Sequence, residues 1–424
     1  MYLKTPQKYT GNNRRRFPIW RILFWVIALA GIGGGWWVYQ NQETIEPMVN
    51  QQLGEMVAQG QYMIATMSAP TPAPTENPAN RLNRANSSWV SGRVEEAIDE
   101  YQLVMDALPN DVISHYNLTM AYIVEGRYAE AIESAERTVT ADPFSSDAWA
   151  IRALSLTRNG DAGAALASGL QALQLNPDNP RAHAFLTEVY LDLELFARAE
   201  ESATRALELS PDSPEAYFAR GLVRQLVDFD RVAAREDYQT AYELAPYRID
   251  AAIETAWLDA ALNDFDTAIN TLNTLKDTNP DNTSILYALG FMYFAGLGDP
   301  NQAADELSRC VNVDEQNAAC FYYYGRVLIA LEQYNDAAQR LSRAVNLTTQ
   351  TPTPNPRFHY WAGEAQIYLG NCTAALEHLR PGYELALAQE NDELISALQN
   401  SIRECSAFDT NPANPVPSIP DEAL

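Results

Sequence analysis

Between residues 78 and 408 apolar side chains recur every three or four positions, in stretches of a dozen or so residues broken by short polar segments such as EGRYAE, RNGDAG and LNDFDT. That spacing gathers the apolar groups on one face of a helix, and the Gly, Asn and Asp in the breaks mark turns. Proline punctuates the same region at Pro109, Pro143, Pro177 and Pro211, each 34 residues apart, and again at Pro246 and Pro280. Two helical stretches lie between successive prolines, so the order is helix, turn, helix, turn. In Asn179-Pro180 and Ser213-Pro214 a capping side chain precedes a proline suited to the first helical position, which starts each unit sharply.

Small residues recur where paired helices have to cross closely: Ala85 with Ala97, Ala153 with Ala165, Gly221 with Ala234, Gly290 with Ala303, Gly325 with Ala337 and Gly363 with Ala375. Apolar or small residues follow four and seven positions later, as in Ala97-Tyr101-Val104 and Ala337-Leu341-Ala344, giving each second helix one buried face. These residues resemble the tetratricopeptide repeat family, whose pattern runs W-x2-L-G-x2-Y, then A-x3-F, then P. Phe321, Tyr324, Gly325, Leu328, Ala337, Leu341 and Ala344 follow that spacing, while Leu286, Leu289, Gly290, Tyr293, Ala303, Leu307 and Cys310 follow it with one residue inserted.

The resemblance implies an all-α fold, a right-handed α-α superhelix. Nine repeats are expected over 78–389, at 78–111, 112–145, 146–179, 180–213, 214–248, 249–282, 283–317, 318–355 and 356–389. Glu315 and Thr349 depart from the pattern by replacing the terminal proline, and TTQTPTPNP lengthens the eighth link. Arg81 and Arg84 occupy apolar positions of the first helix, so the first pair reads either as a solvated cap or as no true repeat. Residues 390–408 read as a capping helix with Leu394, Ile395, Leu398 and Ile402 on one face, which an open stack of repeats needs at its end. A proline-bearing tail without helical period, 409–424, follows.

Ahead of the repeats, Ile22 to Val38 carry no charge, and with Ile19, Trp20 and Tyr39 they reach a bilayer's span of roughly 20 residues. The expected order is a cytoplasmic basic tail at 1–18, a transmembrane helix at 19–39, and a juxtamembrane segment with a Pro-rich stalk at 40–77. Arg14, Arg15 and Arg16 precede the span and the following stretch has no Arg or Lys until Arg81, which puts the N-terminus in the cytoplasm and the repeats outside. Ala28-Leu29-Ala30 also fits a signal-peptidase site, and a cleaved, secreted form is the competing reading.

Charge sharpens the picture of partners. Six bases and no acid lie in the first 21 residues, which leaves 23 bases against 55 acids for the rest. A body that acidic repels phosphate backbones, so nucleic acid is not an expected partner. The four histidines are dispersed, no HExxH, CxxC or GxxxxGK[ST] spacing exists, and neither an enzyme nor a bound cofactor or metal is expected. His115 and His359 fall where the repeat packs an aromatic ring. Acidic residues are expected mostly on solvated helix faces, paired with Arg at i, i+4.

What remains is a scaffold for a protein or peptide ligand, with envelope complex assembly or quality control as its setting; a ligand-sensing or catalytic site among the repeat side chains is the alternative. The resemblance implies that the first helix of each repeat lines a concave face with its second, fifth, sixth, ninth and twelfth positions. By register these are Phe218, Trp257, Tyr287, Phe291, Phe294, Tyr322, Tyr323, Arg326, Tyr360, Trp361, Glu364 and Tyr368. The only lysine beyond the span, Lys276, lies on a second helix, so the basic clamp by which some relatives hold a C-terminal carboxylate is absent. Four cysteines suit an oxidising compartment. Cys372 starts one helix and Cys405 ends the antiparallel one after it, which pairs them; Cys310 and Cys320 form either a bridge at a repeat junction or buried thiols.

Overall fold

The computed structural model describes residues 77–348 and 354–408, which belong to the second of two compact units, Glu76–Leu424. The expected tail at 1–18, span at 19–39, nearly all of the segment at 40–77 and the tail at 409–424 lie outside the described residues. Among the residues described, no helix is long and apolar enough to cross a membrane, and there is no strand.

Among the described residues nine helix pairs follow one another. They are α1 (Pro78–Val90) with α2 (Val94–Met105), α3 (Val112–Val124) with α4 (Tyr128–Ala141), and α5 (Ser146–Arg158) with α6 (Ala162–Leu175). Next come α7 (Pro180–Asp192) with α8 (Phe196–Leu209), α9 (Pro214–Leu226) with α10 (Arg231–Leu244), and α11 (Ile249–Ala261) with α12 (Phe265–Thr278). The last three are α13 (Thr283–Phe291) with α14 (Pro300–Val313), α15 (Ala318–Ala330) with α16 (Tyr334–Thr348), and α17 (Pro356–Tyr368) with α18 (Cys372–Ala388). A single helix, α19 (Asp392–Phe408), closes the series.

Local chemistry sets the boundaries. The Asn179 side chain accepts from the backbone N–H groups of Arg181 and Ala182 at 2.9 and 3.1 Å, and the Ser213 hydroxyl accepts from Ala216 N–H at 3.2 Å. Each satisfies first-turn donors that have no partner within the helix. Close crossing then requires the small residues. A Cβ on Gly221 would meet the Tyr238 ring at 2.6 Å, and Ala85, Ala97, Ala153, Ala165, Ala234, Ala303, Ala337 and Ala375 are all fully buried. The residue inserted in the seventh repeat is absorbed as a π turn at Met292–Gly296, which prolongs α13.

The first pair is neither a free cap nor a stray helix. Arg81 and Arg84 turn to Glu100 of α2, while Ala85 and Trp89 are buried. At the other end Leu394, Leu398 and Ile402 of α19 are buried together with Leu379 and Tyr383 of α18, and a disulfide joins Cys372 to Cys405 with Cα atoms 5.1 Å apart. A second disulfide joins Cys310 to Cys320 across the turn between α14 and α15, with Cα atoms 6.0 Å apart.

Candidate binding surface

First helices of successive pairs lie against one another from α3 to α9 and from α11 to α17, and Phe218 of α9 shares a buried cluster with Ala251 and Leu258 of α11, so their inward positions form one face whose chemistry changes along its length.

In the amino-terminal half the face is filled by charge. Asp147 of α5 accepts from Arg181 of α7 at 3.0 Å, and the Arg181 guanidinium lies 3.9 Å from Glu215 of α9 and 4.8 Å from the Tyr116 ring centroid. Tyr247 donates to Glu215 at 3.4 Å. Arg158 faces Glu188 at 2.8 Å, and the fully buried Arg248 holds Asp250 by two hydrogen bonds of 2.8 Å each. Burial pushes Glu188 upward in pKa even beside Arg158. For Asp250 burial works in the same sense, but the Arg248 charge and its hydrogen bonds prevail and hold the carboxyl below its ordinary range. Burial also raises the Tyr116 hydroxyl well above normal. Charged groups sealed this way need partners, and these have them.

The first helix pair closes over this half. Trp89 stacks on Tyr247 with centroids 4.2 Å apart. Gly92, at φ +74°, lies so near the carbonyl of Pro246 that a Cβ would come within 2.6 Å of its oxygen. Asn279, at the end of α12, donates to the Gly92 carbonyl at 2.9 Å and accepts from Val94 N–H at 3.0 Å. One turn further on, Asn282 donates to Glu125 at 2.8 Å. Burial lifts Glu125 to about 7, with Glu95 adding to the rise while Asn282 and Arg127 oppose it.

From α11 onward the face is aromatic. Trp257 lies 5.9 Å from Tyr287 and 5.0 Å from Phe291; Tyr323 meets the edges of Tyr287 and Phe291 at 5.4 and 5.3 Å. Tyr360 packs on Trp361 at 5.4 Å. Amid these rings stands Arg326, whose guanidinium carbon is 4.8 Å from the Trp361 centroid, 5.4 Å from Tyr323, 5.5 Å from Tyr322 and 5.6 Å from Phe294. Its Nε is buried without a hydrogen-bond partner. Glu364 accepts from Ser401 of α19, and burial raises its pKa although that hydrogen bond opposes the rise. Burial likewise holds the Tyr287 and Tyr322 hydroxyls protonated.

Trp257, Tyr287, Phe291, Phe294, Tyr323, Arg326, Tyr360, Trp361 and Glu364 are thus brought to one half-buried surface. Two of the expected residues are not on it. Phe218 is only 2% exposed, packed on Tyr238 and roofed by Arg248 at 4.2 Å. Tyr322 is 5% exposed and stacked on Phe358 at 4.4 Å, a core ring with its edge toward Arg326. Tyr368 is exposed, and stacks on Tyr334 at the rim.

The expectation that acids lie on solvated faces fails for Glu188, Glu215, Asp237, Asp250 and Asp259, each buried or nearly so against an arginine. A signal for one of these acids was present: Asp147, Arg181 and Glu215 hold the same second position in consecutive repeats with alternating sign. Buried His115 is held neutral by desolvation, and among the described residues no group of three His, Cys, Asp or Glu could hold a metal ion.

Family models described as Tetratricopeptide repeat match residues 116–180 and 156–226, and one described as Anaphase-promoting complex, cyclosome, subunit 3 matches 261–344. The chain is 24% identical over 255 residues to DnaJ homolog subfamily C member 3 of Rattus norvegicus, covering 57% of this chain and 50% of that protein. It therefore spans about half the length of that relative. Over 128 residues it is 31% identical to Sperm-associated antigen 1 of Mus musculus, covering 30% of this chain and 14% of that protein. Its fold is similar to that in the crystal structure of the APC/C hetero-tetramer Cut9-Hcn1, with a TM-score of 0.59 at 14% identity, covering 73% of this chain and 58% of that one.

Proposed function

We propose that this chain, a tetratricopeptide repeat protein, is a non-catalytic scaffold that binds a peptide segment of a protein partner along the aromatic face from α11 to α17. The observation that carries the reading is the run of half-buried rings, Trp257, Phe291, Tyr323 and Trp361, contributed by four successive first helices. Rigid aromatics supply contact area at low entropic cost, and Trp, Tyr and Arg dominate binding hot spots. The amino-terminal half offers no such surface, since its inward positions are occupied by paired charges and by the first helix pair. An uncharged stretch from Ile22 to Val38 behind a cluster of arginines supports an anchor that leaves the repeats outside the membrane, and two disulfides suit the same compartment. Assembly or quality control of an envelope complex is the setting that this topology favours.

The test is capture of partners by the full chain from its native membrane. Trp257→Ala with Phe291→Ala should leave the helical melt cooperative and weaken capture at least tenfold, about 1.4 kcal/mol. Unchanged capture would place binding elsewhere, and loss of the melt would make these rings packing residues. Compartment-specific reporters fused at both ends test the topology, which a cytoplasmic signal from the C-terminal fusion would reverse.

A further inference from the structure

Arg326 differs from the other inward-facing arginines. Arg158, Arg181 and Arg248 each face a carboxylate. Among the described residues Arg326 has no carboxylate within the 4 Å that defines an ion pair; its Nε is buried without a hydrogen-bond partner, and the Tyr322 hydroxyl interacts with the rest of the guanidinium. Arg326 stands among Phe294, Tyr322, Tyr323 and Trp361 instead. Ring faces attract a cation without accepting its planar fork of N–H donors, so beyond the Tyr322 hydroxyl the guanidinium's hydrogen-bonding capacity is left unused in a partly dehydrated place. Glu364, an acid of the same face on the next first helix, is turned to Ser401 of α19.

Resting on the peptide-binding reading of the same surface, we propose that Arg326 receives the side-chain carboxylate of an Asp or Glu lying inside an otherwise apolar or proline-bearing segment of the partner. Charge complementarity selects an anion, and the planar guanidinium fork matches a carboxylate with two parallel hydrogen bonds. Position selects an internal residue over a chain end. Trp257 and Phe291 lie before Arg326 along the face, on α11 and α13, and Tyr360 and Trp361 lie after it on α17. A segment ending at Arg326 would leave one of those flanks uncovered, whereas one passing through uses both. The surrounding rings reject a bare charge with no apolar neighbours, because only an apolar flank repays the water displaced from them.

The experiment selects a displayed library of 12-residue peptides on the full chain purified in mild detergent, then measures synthetic winners, acetylated and amidated, by fluorescence anisotropy. Enriched peptides should carry one internal Asp or Glu between aromatic, aliphatic or Pro residues. Replacing that acid by its amide should weaken binding about tenfold or more. Arg326→Gln should weaken the acidic peptide by a similar factor while leaving the amide peptide unchanged, so the two losses do not add. Winners without an internal acid, an acid-to-amide penalty that persists in Arg326→Gln, tighter binding of a phosphoserine peptide, or dependence on a free C-terminal carboxylate would each overturn the proposal while keeping the peptide surface. Enrichment of no peptide at all would overturn the surface reading and this one with it. Should Arg326→Gln fail to fold, the acid-to-amide comparison on the wild-type chain, with Arg326→Lys as the protein-side variant, still decides.

Discussion

Asn279 and Gly92, 187 residues apart, are joined through the Asn279 side-chain amide, which donates to the Gly92 carbonyl at 2.9 Å while accepting from Val94 N–H at 3.0 Å. One buried amide thereby satisfies two backbone groups in the turn of the first helix pair. A repeat array with contacts only between neighbours would have no use for it.

Asn279→Ala leaves both backbone groups buried without partners, at a cost of about 2–3 kcal/mol. Amide exchange should accelerate first across Pro78–Met105, with Ala318–Ala388 unaffected. Equal protection of the first pair in the variant and the parent would show that Trp89 on Tyr247 suffices alone.

Glu125, held by Asn282 just beyond Asn279, makes a neighbouring contact sensitive to pH. Its carboxyl is raised from 4.5 to about 7 in the folded chain, so the native state binds the extra proton. The stability it contributes is fully present below about pH 4.5 and is lost as the pH rises through 7, on the order of 3 kcal/mol in all. Glu125→Gln should flatten the dependence of the denaturation midpoint on pH between 5 and 7. A slope unchanged by the substitution would assign the titration to another group.

Arg248→Met strands Asp250 beside an uncharged side chain, leaving Glu215 to Arg181 and Glu188 to Arg158, and should cost about 3–5 kcal/mol. Arg248→Met with Asp250→Leu should cost less than the single change, because the stranded carboxylate nearest to it is removed too. Urea denaturation decides: a double variant weaker than the single one would mean that the pair contributes net stability.

Cys372→Ser with Cys405→Ser frees the end of the closing helix. The bridge spans a sequence separation of 33, and loss of a loop that size costs on the order of 3–4 kcal/mol. Intact mass with and without alkylation should show four protected sulfurs in the parent and two in the variant, and exchange should rise in Asp392–Phe408 before it rises in α17.

The pairing of helices was legible because its causes are local. Period, cap and small residue all act within a few tens of residues, so Asn179, Ser213 and Gly221 announce themselves. Inward-facing chemistry was less legible. The same register that finds Trp257 and Arg326 also marks Glu215 and Asp250, but a buried acid looks like a solvated one until its arginine is found on a neighbouring helix. Phe218 reads as a groove residue until Arg248 is seen lying over it. Tyr322 does so until Phe358, two helices on, covers it. The contact between Gly92 and Asn279 had no signal at all, because no periodicity says which distant repeat the first one meets.

That contact changes how the array would bear a mechanical load. A pull applied at Asn77 on an open stack would peel the first pair away alone, then the second, each at a small force. Here the pull reaches Trp89 and Gly92 and is handed at once to Tyr247 and Asn279, in the middle of the chain. Tension entering from the amino-terminal side is therefore carried by the tie alongside the first six repeats, so the first helix pair does not peel away alone before the middle of the chain is loaded.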